Sequence, residues 1–85
     1  MQSTWPHIDN ALQREFKFKD FKVAFGFMAA VALEAESQNH HPNWSNVYNT
    51  VTINLNTHDA GDVVTEKDHT LANAIDRIAE QFAQA

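Results

Sequence analysis

Along this chain the spacing of apolar residues twice switches from two to between three and four, returning to two once in between. That switching constrains the fold more than any other feature. A period of two places alternate side chains on one face of a strand, whereas a period near 3.6 lines them along one side of a helix. From Leu12 to Lys19, Leu12, Phe16 and Phe18 fall on one side and Glu15, Lys17 and Lys19 on the other, the pattern of a half-buried strand. Thr4 to Ile8 is expected to form a short partner strand through the turn-prone pair Asp9-Asn10, with Pro6 confining it to an edge.

Asp20 is a good helix N-cap, and Phe21, Phe25, Met28, Ala32 and Ala35 then recur at spacings of four and three. The spacing predicts a helix over Phe21–Gln38, with Phe27 and Val31 widening a stripe assigned to the core rather than to a ligand. Proline at 42 keeps His41 extended, so the helix must end before the His40-His41-Pro42 loop. Asn46 to Thr57 alternates again, with Val51, Ile53 and Leu55 facing one way. Val47-Tyr48-Asn49-Thr50 is expected to pair with this run through a tight turn, giving a hairpin that ends at His58. After the turn cluster Asp59-Ala60-Gly61-Asp62, Thr65 should cap a second helix in which Leu71, Ile75, Ile78 and Phe82 repeat. The order strand, strand, helix, strand, strand, helix needs no crossover. It predicts an α+β fold, a four-stranded antiparallel sheet with its helices packed on one face.

With 85 residues the chain suits one domain spanning its length, because shorter pieces would not enclose separate cores. No apolar run approaches the roughly 20 residues that cross a bilayer, and the polar start Met1-Gln2-Ser3-Thr4-Trp5 is unlike a secretion signal. A soluble cytoplasmic protein without a membrane partner is therefore expected. The absence of cysteine excludes thiolate chemistry and Cys-based zinc sites. A net charge of −5 argues against direct nucleic-acid binding, which needs a broad basic face. The one basic stretch, Arg14, Lys17, Lys19 and Lys22, reads as a solvated strand edge.

His40, His41 and His58 lie at element ends, and an imidazole titrating near ~6.5 can both give and take a proton at cellular pH. Acid–base catalysis is one reading of them and simple solvent exposure another. Zinc held by His40, His41, His58 and Asp68 is a third. Extended neighbours such as His40 and His41 point to opposite sides, however, which hinders their sharing one ion. Glu36 stands in the last turn of the first helix, where the macrodipole disfavours an acid; a nearby imidazolium would hold it there, or it is simply an exposed acid. Asp68 completes the pattern Thr65-x-x-Asp68 of a capping box.

Taken in order, Phe16-Lys17-Phe18-Lys19-Asp20-Phe21, Ala24-Phe25-Gly26-Phe27-Met28, Ala35-Glu36 before His40-His41-Pro42, Asn46-Val47-Tyr48-Asn49 and Thr57-His58-Asp59-Ala60-Gly61 closely resemble the pterin-4a-carbinolamine dehydratases. The resemblance runs from about Leu12 into the second helix. It implies an enzyme that dehydrates 4a-hydroxytetrahydropterin to quinonoid dihydropterin in pterin recycling, with no metal and no organic cofactor. The family's catalytic histidines correspond to His40, His41 and His58, the first and third as proton donors and His41 positioning the ring. Pterin contacts correspond to Asn39, Asn56, Thr57 and Asp59, with Glu36 and Asp68 supporting. Homodimers or homotetramers are implied too, and animal relatives also act as dimerization cofactors of a homeodomain transcription factor, which leaves a non-catalytic protein-binding role as the alternative. There are two departures: relatives usually carry a further helix before the first strand, and the stretch from His58 to Asp68 is about one residue longer than the common pattern. For that reason capping, rather than catalysis, is the expected main role of Asp68.

Overall fold

A computed structural model of the chain describes residues 2–85; Met1, part of the polar start, lies outside them. Four strands, β1 (His7–Ile8), β2 (Ala11–Lys17), β3 (Asn43–Val47) and β4 (Thr50–Leu55), form one antiparallel sheet in the order β1-β2-β4-β3. Two helices, α1 (Phe21–Gln38) and α2 (Glu66–Ala79), pack against each other and against the sheet. The α+β class and the four-stranded antiparallel sheet expected from periodicity are what the chain forms.

Register explains the core. Leu12 lies opposite Leu55 and Phe16 opposite Val51, so the apolar members of both alternations point to one face, where they are at most 2% exposed. Phe18 and Phe27 bring α1 onto that face with ring centroids 4.6 Å apart, and both are fully buried. Losing either ring would cost about 3–5 kcal/mol in such a site. On the other face the sheet is polar, as in the Gln13–Asn54 side-chain hydrogen bond of 2.6 Å.

Several local expectations change. The first strand shrinks from Thr4–Ile8 to His7–Ile8, because Trp5 turns inward to a 5% exposed position and its Nε1 donates to Asp76 over 2.9 Å. Asp9 and Asn10, both at positive φ, make the tight turn. The second hairpin reaches back to Asn43, and its turn falls at Tyr48-Asn49, so Val47 ends β3 while Thr50 begins β4. Phe82 lies beyond the end of α2 and meets Phe27 edge-on at 6.2 Å. In the basic stretch Arg14, Lys17 and Lys19 are exposed; β4 flanks β2 on one side, whereas β1 pairs only with Ala11 and Leu12 on the other, and Arg14 bonds to Asp76 at 2.6 Å.

The largest change concerns α1. Its bounds and its Asp20 cap, which accepts from Val23 N, are as predicted, but its buried stripe is Ala24, Phe27, Val31 and Ala35. Phe21 and Phe25 are 48% and 59% exposed. The helix carries more apolar residues than one face can bury: Phe27, Val31 and Ala35 of the expected stripe are buried and Met28 packs against the core, while Ala24 takes the inner place expected of Phe21 and Phe25. None of the described helices is long and apolar enough to cross a membrane.

Candidate active site

The ends of α1 and β4 and the start of α2 converge at one end of the sheet. Helix α1 stops because Asn39 takes the left-handed conformation (φ 51°), its N–H bonding back to Ala35 and Glu36 carbonyls; asparagine tolerates this better than most residues. The chain then leaves extended, presenting Asn39, His40 and His41 to a cleft of about 260 Å³. Asn56 and Thr57, just past β4, line it from a second side, and a 3-10 turn over His58–Ala60 adds His58 and Asp59. The first turn of α2 supplies Lys67.

Each histidine has its own carboxylate. His40 Nε2 lies 2.5 Å from Asp68 Oδ1, with the His40 side chain 11% exposed and Asp68 completely buried. The other oxygen of Asp68 accepts from Thr57 Oγ1 and from Thr65 N, each at 2.8 Å. An ionised carboxylate only accepts, so His40 must donate Nε2–H and Thr57 its hydroxyl proton; Thr65 Oγ1, 2.6 Å from Thr57 Oγ1, is then the donor in that pair. His40 Nδ1, without a protein partner among the described residues, is left for a ligand. The expected cap is present, since the Asp68 side chain reaches back to the N-cap amide. The same carboxylate also holds His40, which ranking the cap above catalysis did not anticipate. A fully buried acid commonly needs several donors, and here the cap and the histidine both serve.

His41 Nε2 meets Glu36 Oε1 at 2.8 Å on the surface, which gives Glu36 an imidazole partner at the helix end. His58 Nδ1 meets Asp62 Oδ1 at 2.9 Å. The hydrogen bond to Asp62, then the charges of Asp62 and Asp59, raise the His58 pKa above its ordinary 6.5. Consecutive positive φ angles at Gly61 and Asp62 fold the turn back, and Thr57 N closes it on the Val63 carbonyl at 2.8 Å. The three imidazoles thus belong to three separate pairs, and among the described residues no three His, Cys, Asp or Glu side chains gather as metal ligands.

All seven histidine and pterin-contact positions proposed from sequence line this one cleft. Lys67 lines it as well and was not singled out. Its signal was available: a cation in the first turn of a helix is disfavoured by up to about 1 kcal/mol, so something other than helix stability has to account for it.

Comparison with known proteins shows the family. Residues 1–78 match the family model described as pterin 4 alpha carbinolamine dehydratase, and the chain belongs to that family. A relative from Solibacter usitatus, provisionally named a pterin-4-alpha-carbinolamine dehydratase, is 54% identical over 78 residues, covering 92% of this chain and 81% of its own. One from Rhodospirillum rubrum with the same provisional name is 65% identical over 68 residues, covering 80% and 70%. Among solved structures, one from Brucella melitensis described as a transcriptional coactivator/pterin dehydratase superposes with a TM-score of 0.85 at 48% identity, covering 92% of this chain and 84% of that one. A pterin dehydratase-like RuBisCO assembly factor of the alpha-carboxysome shares the fold, with a TM-score of 0.74 at 24% identity over 91% and 90%.

Proposed function

We propose that this protein dehydrates a 4a-hydroxytetrahydropterin to quinonoid dihydropterin and water, within pterin recycling in the cytoplasm. The observation that carries the reading is the single polar cleft that collects His40, His41 and His58, each set by its own carboxylate. Hydroxide leaves poorly, so the C4a–O bond breaks as an acid protonates the departing oxygen, and a proton leaves a ring nitrogen to a base. His58, whose raised pKa keeps it protonated further into the neutral range, protonates the hydroxyl. His40, with Nε2–H committed to Asp68, offers Nδ1 to the ring proton and can return it to solvent or to the leaving oxygen. His41 positions the ring, and Asn39, Asn56, Thr57 and Asp59 supply hydrogen bonds at its polar edge. No metal or organic cofactor takes part.

The test is a dehydration assay with 4a-hydroxytetrahydropterin and purified protein. Acceleration over buffer that survives EDTA is expected; no acceleration, or activity lost to EDTA and restored by zinc, would overturn the reading. A pH profile adds a second check. Because the folded-state pKa of His58 is raised, its protonated form is present at low pH and lost as pH rises through that value. Turnover should decline on the high-pH side, and Asp62→Asn should move that decline to lower pH. An unmoved limb would remove His58 from the acid's role.

A homodimer or homotetramer is the proposed assembly. β3 is an edge strand, and Phe21, Phe25 and Leu33 of α1 are exposed; such edges and apolar patches are usually covered. Light scattering at micromolar concentration should give a multiple of 9.6 kDa, and a monomer mass would sink this proposal. In the alternative, non-catalytic reading the same surface serves another protein as a dimerization cofactor, and the dehydration assay separates the two.

A further inference from the structure

The cleft holds two opposite charges that are not spent on each other. Asp59, from the 3-10 turn, and Lys67, from the first turn of α2, both line it, and both also line the adjoining hollow beside Thr57 and Thr65. The other carboxylates of the site are engaged: Asp68 by His40, Glu36 by His41 and Asp62 by His58. No ion pair joins Asp59 to Lys67 among the described residues, and neither side chain has another protein partner among them. Lys67 therefore keeps a strongly solvated donor free at the wall of a polar cleft, beside a carboxylate that is free to accept.

That pair complements a ligand edge on which N–H donors stand next to a carbonyl. In a pterin the 2-amino group and N3–H form such a donor edge, and the 4-oxo group follows directly. Resting on the dehydratase reading above, we propose that Lys67 is a specificity-determining residue that donates to the 4-oxo oxygen while Asp59 accepts from the 2-amino and N3–H groups. Two parallel N–H bonds to one carboxylate, with a charged donor at the neighbouring oxygen, give both affinity and a fixed orientation. A ring turned over would set its oxo group against Asp59 and its amino group against Lys67, a like-with-like mismatch. Fixing the ring this way decides which end of it lies towards His40 and His58.

The experiment pairs a protein change with a ligand change. Lys67→Gln removes the charge and keeps a polar side chain one atom shorter; it should raise KM for the 4a-hydroxypterin roughly tenfold, with more of the loss in kcat/KM carried by KM than by kcat. Lys67→Arg should restore most of the difference. Binding of a stable tetrahydropterin, followed by calorimetry, should weaken by a similar factor in Lys67→Gln. A 2,4-diamino analogue, with an amino group in place of the oxo oxygen, should bind the parent more weakly and gain nothing from Lys67, so the same substitution should leave its affinity unchanged or improve it. Unchanged KM, or an equal loss for both ligands at an unchanged melting temperature, overturns the assignment. A parent that binds the 4-oxo ligand with this sensitivity yet catalyses nothing would sink the dehydratase reading alone, and a parent that binds neither ligand overturns both.

Discussion

Alanine at His40 or at His58 is expected to reduce the turnover of 4a-hydroxytetrahydropterin by roughly 10²–10⁴-fold, the usual contribution of a positioned acid or base. The two variants should differ in stability. From sequence, both residues sit at element ends outside the apolar stripes, and neither removal would be expected to disturb the fold. In the structure this holds for His58, which is 89% exposed on its side chain, so its loss opens no cavity and should leave the melting temperature almost unchanged. His40 is different: removing it strands Oδ1 of a fully buried carboxylate, at a cost of about 1–3 kcal/mol for the unmet acceptor. A His40→Ala variant that melts with the parent would show that water replaces the imidazole, and an active His58→Ala variant would end the assignment of that residue as the acid.

Asp68→Asn is expected to injure the cap and the chemistry together. The amide has one acceptor where the carboxylate has two. If its oxygen keeps the bonds from Thr65 N and the Thr57 hydroxyl, its NH₂ group faces His40 Nε2, and the imidazole must reverse its tautomer to accept. Nδ1, the nitrogen left for the ligand, would then carry a proton where the parent offers a lone pair. An asparagine in place of a histidine-orienting aspartate is known to act through this tautomer effect, and a fall in kcat of about 10²-fold or more is expected. If instead the oxygen stays with His40, the cap and the Thr57 bond are lost, at about 0.5–2 kcal/mol for the cap alone. Thermal melting and steady-state kinetics on one preparation decide the matter. A variant with normal kcat and a lowered melting temperature would confine Asp68 to the cap, and normal values of both would refute the network altogether.

How much of this was written in the chain depends on the range over which the relevant forces act. Alternation at Val51, Ile53 and Leu55, the Asp20 and Thr65 caps, and the helix end ahead of Pro42 are local matters of backbone geometry and side-chain reach. They could be read from neighbours in sequence, and with them the α+β class and the antiparallel sheet. The ordered motifs also pointed to the residues that line the cleft, through resemblance rather than through spacing.

What the sequence left open required partners far along the chain. Periodicity gave α1 an apolar side but could not say that Phe21 and Phe25 stay out while Ala24 goes in, because that depends on where β4 and α2 lie against the helix. Trp5 was drawn off the first strand by Asp76, which is contributed by α2. Asp68 could be seen as a cap three residues from Thr65; its contact with His40 exists only because α2 is folded beside the end of α1. Local rules assigned each of these residues a role on its own element, and packing between elements, acting through burial and the need to satisfy every buried polar atom, decided which further role each acquired.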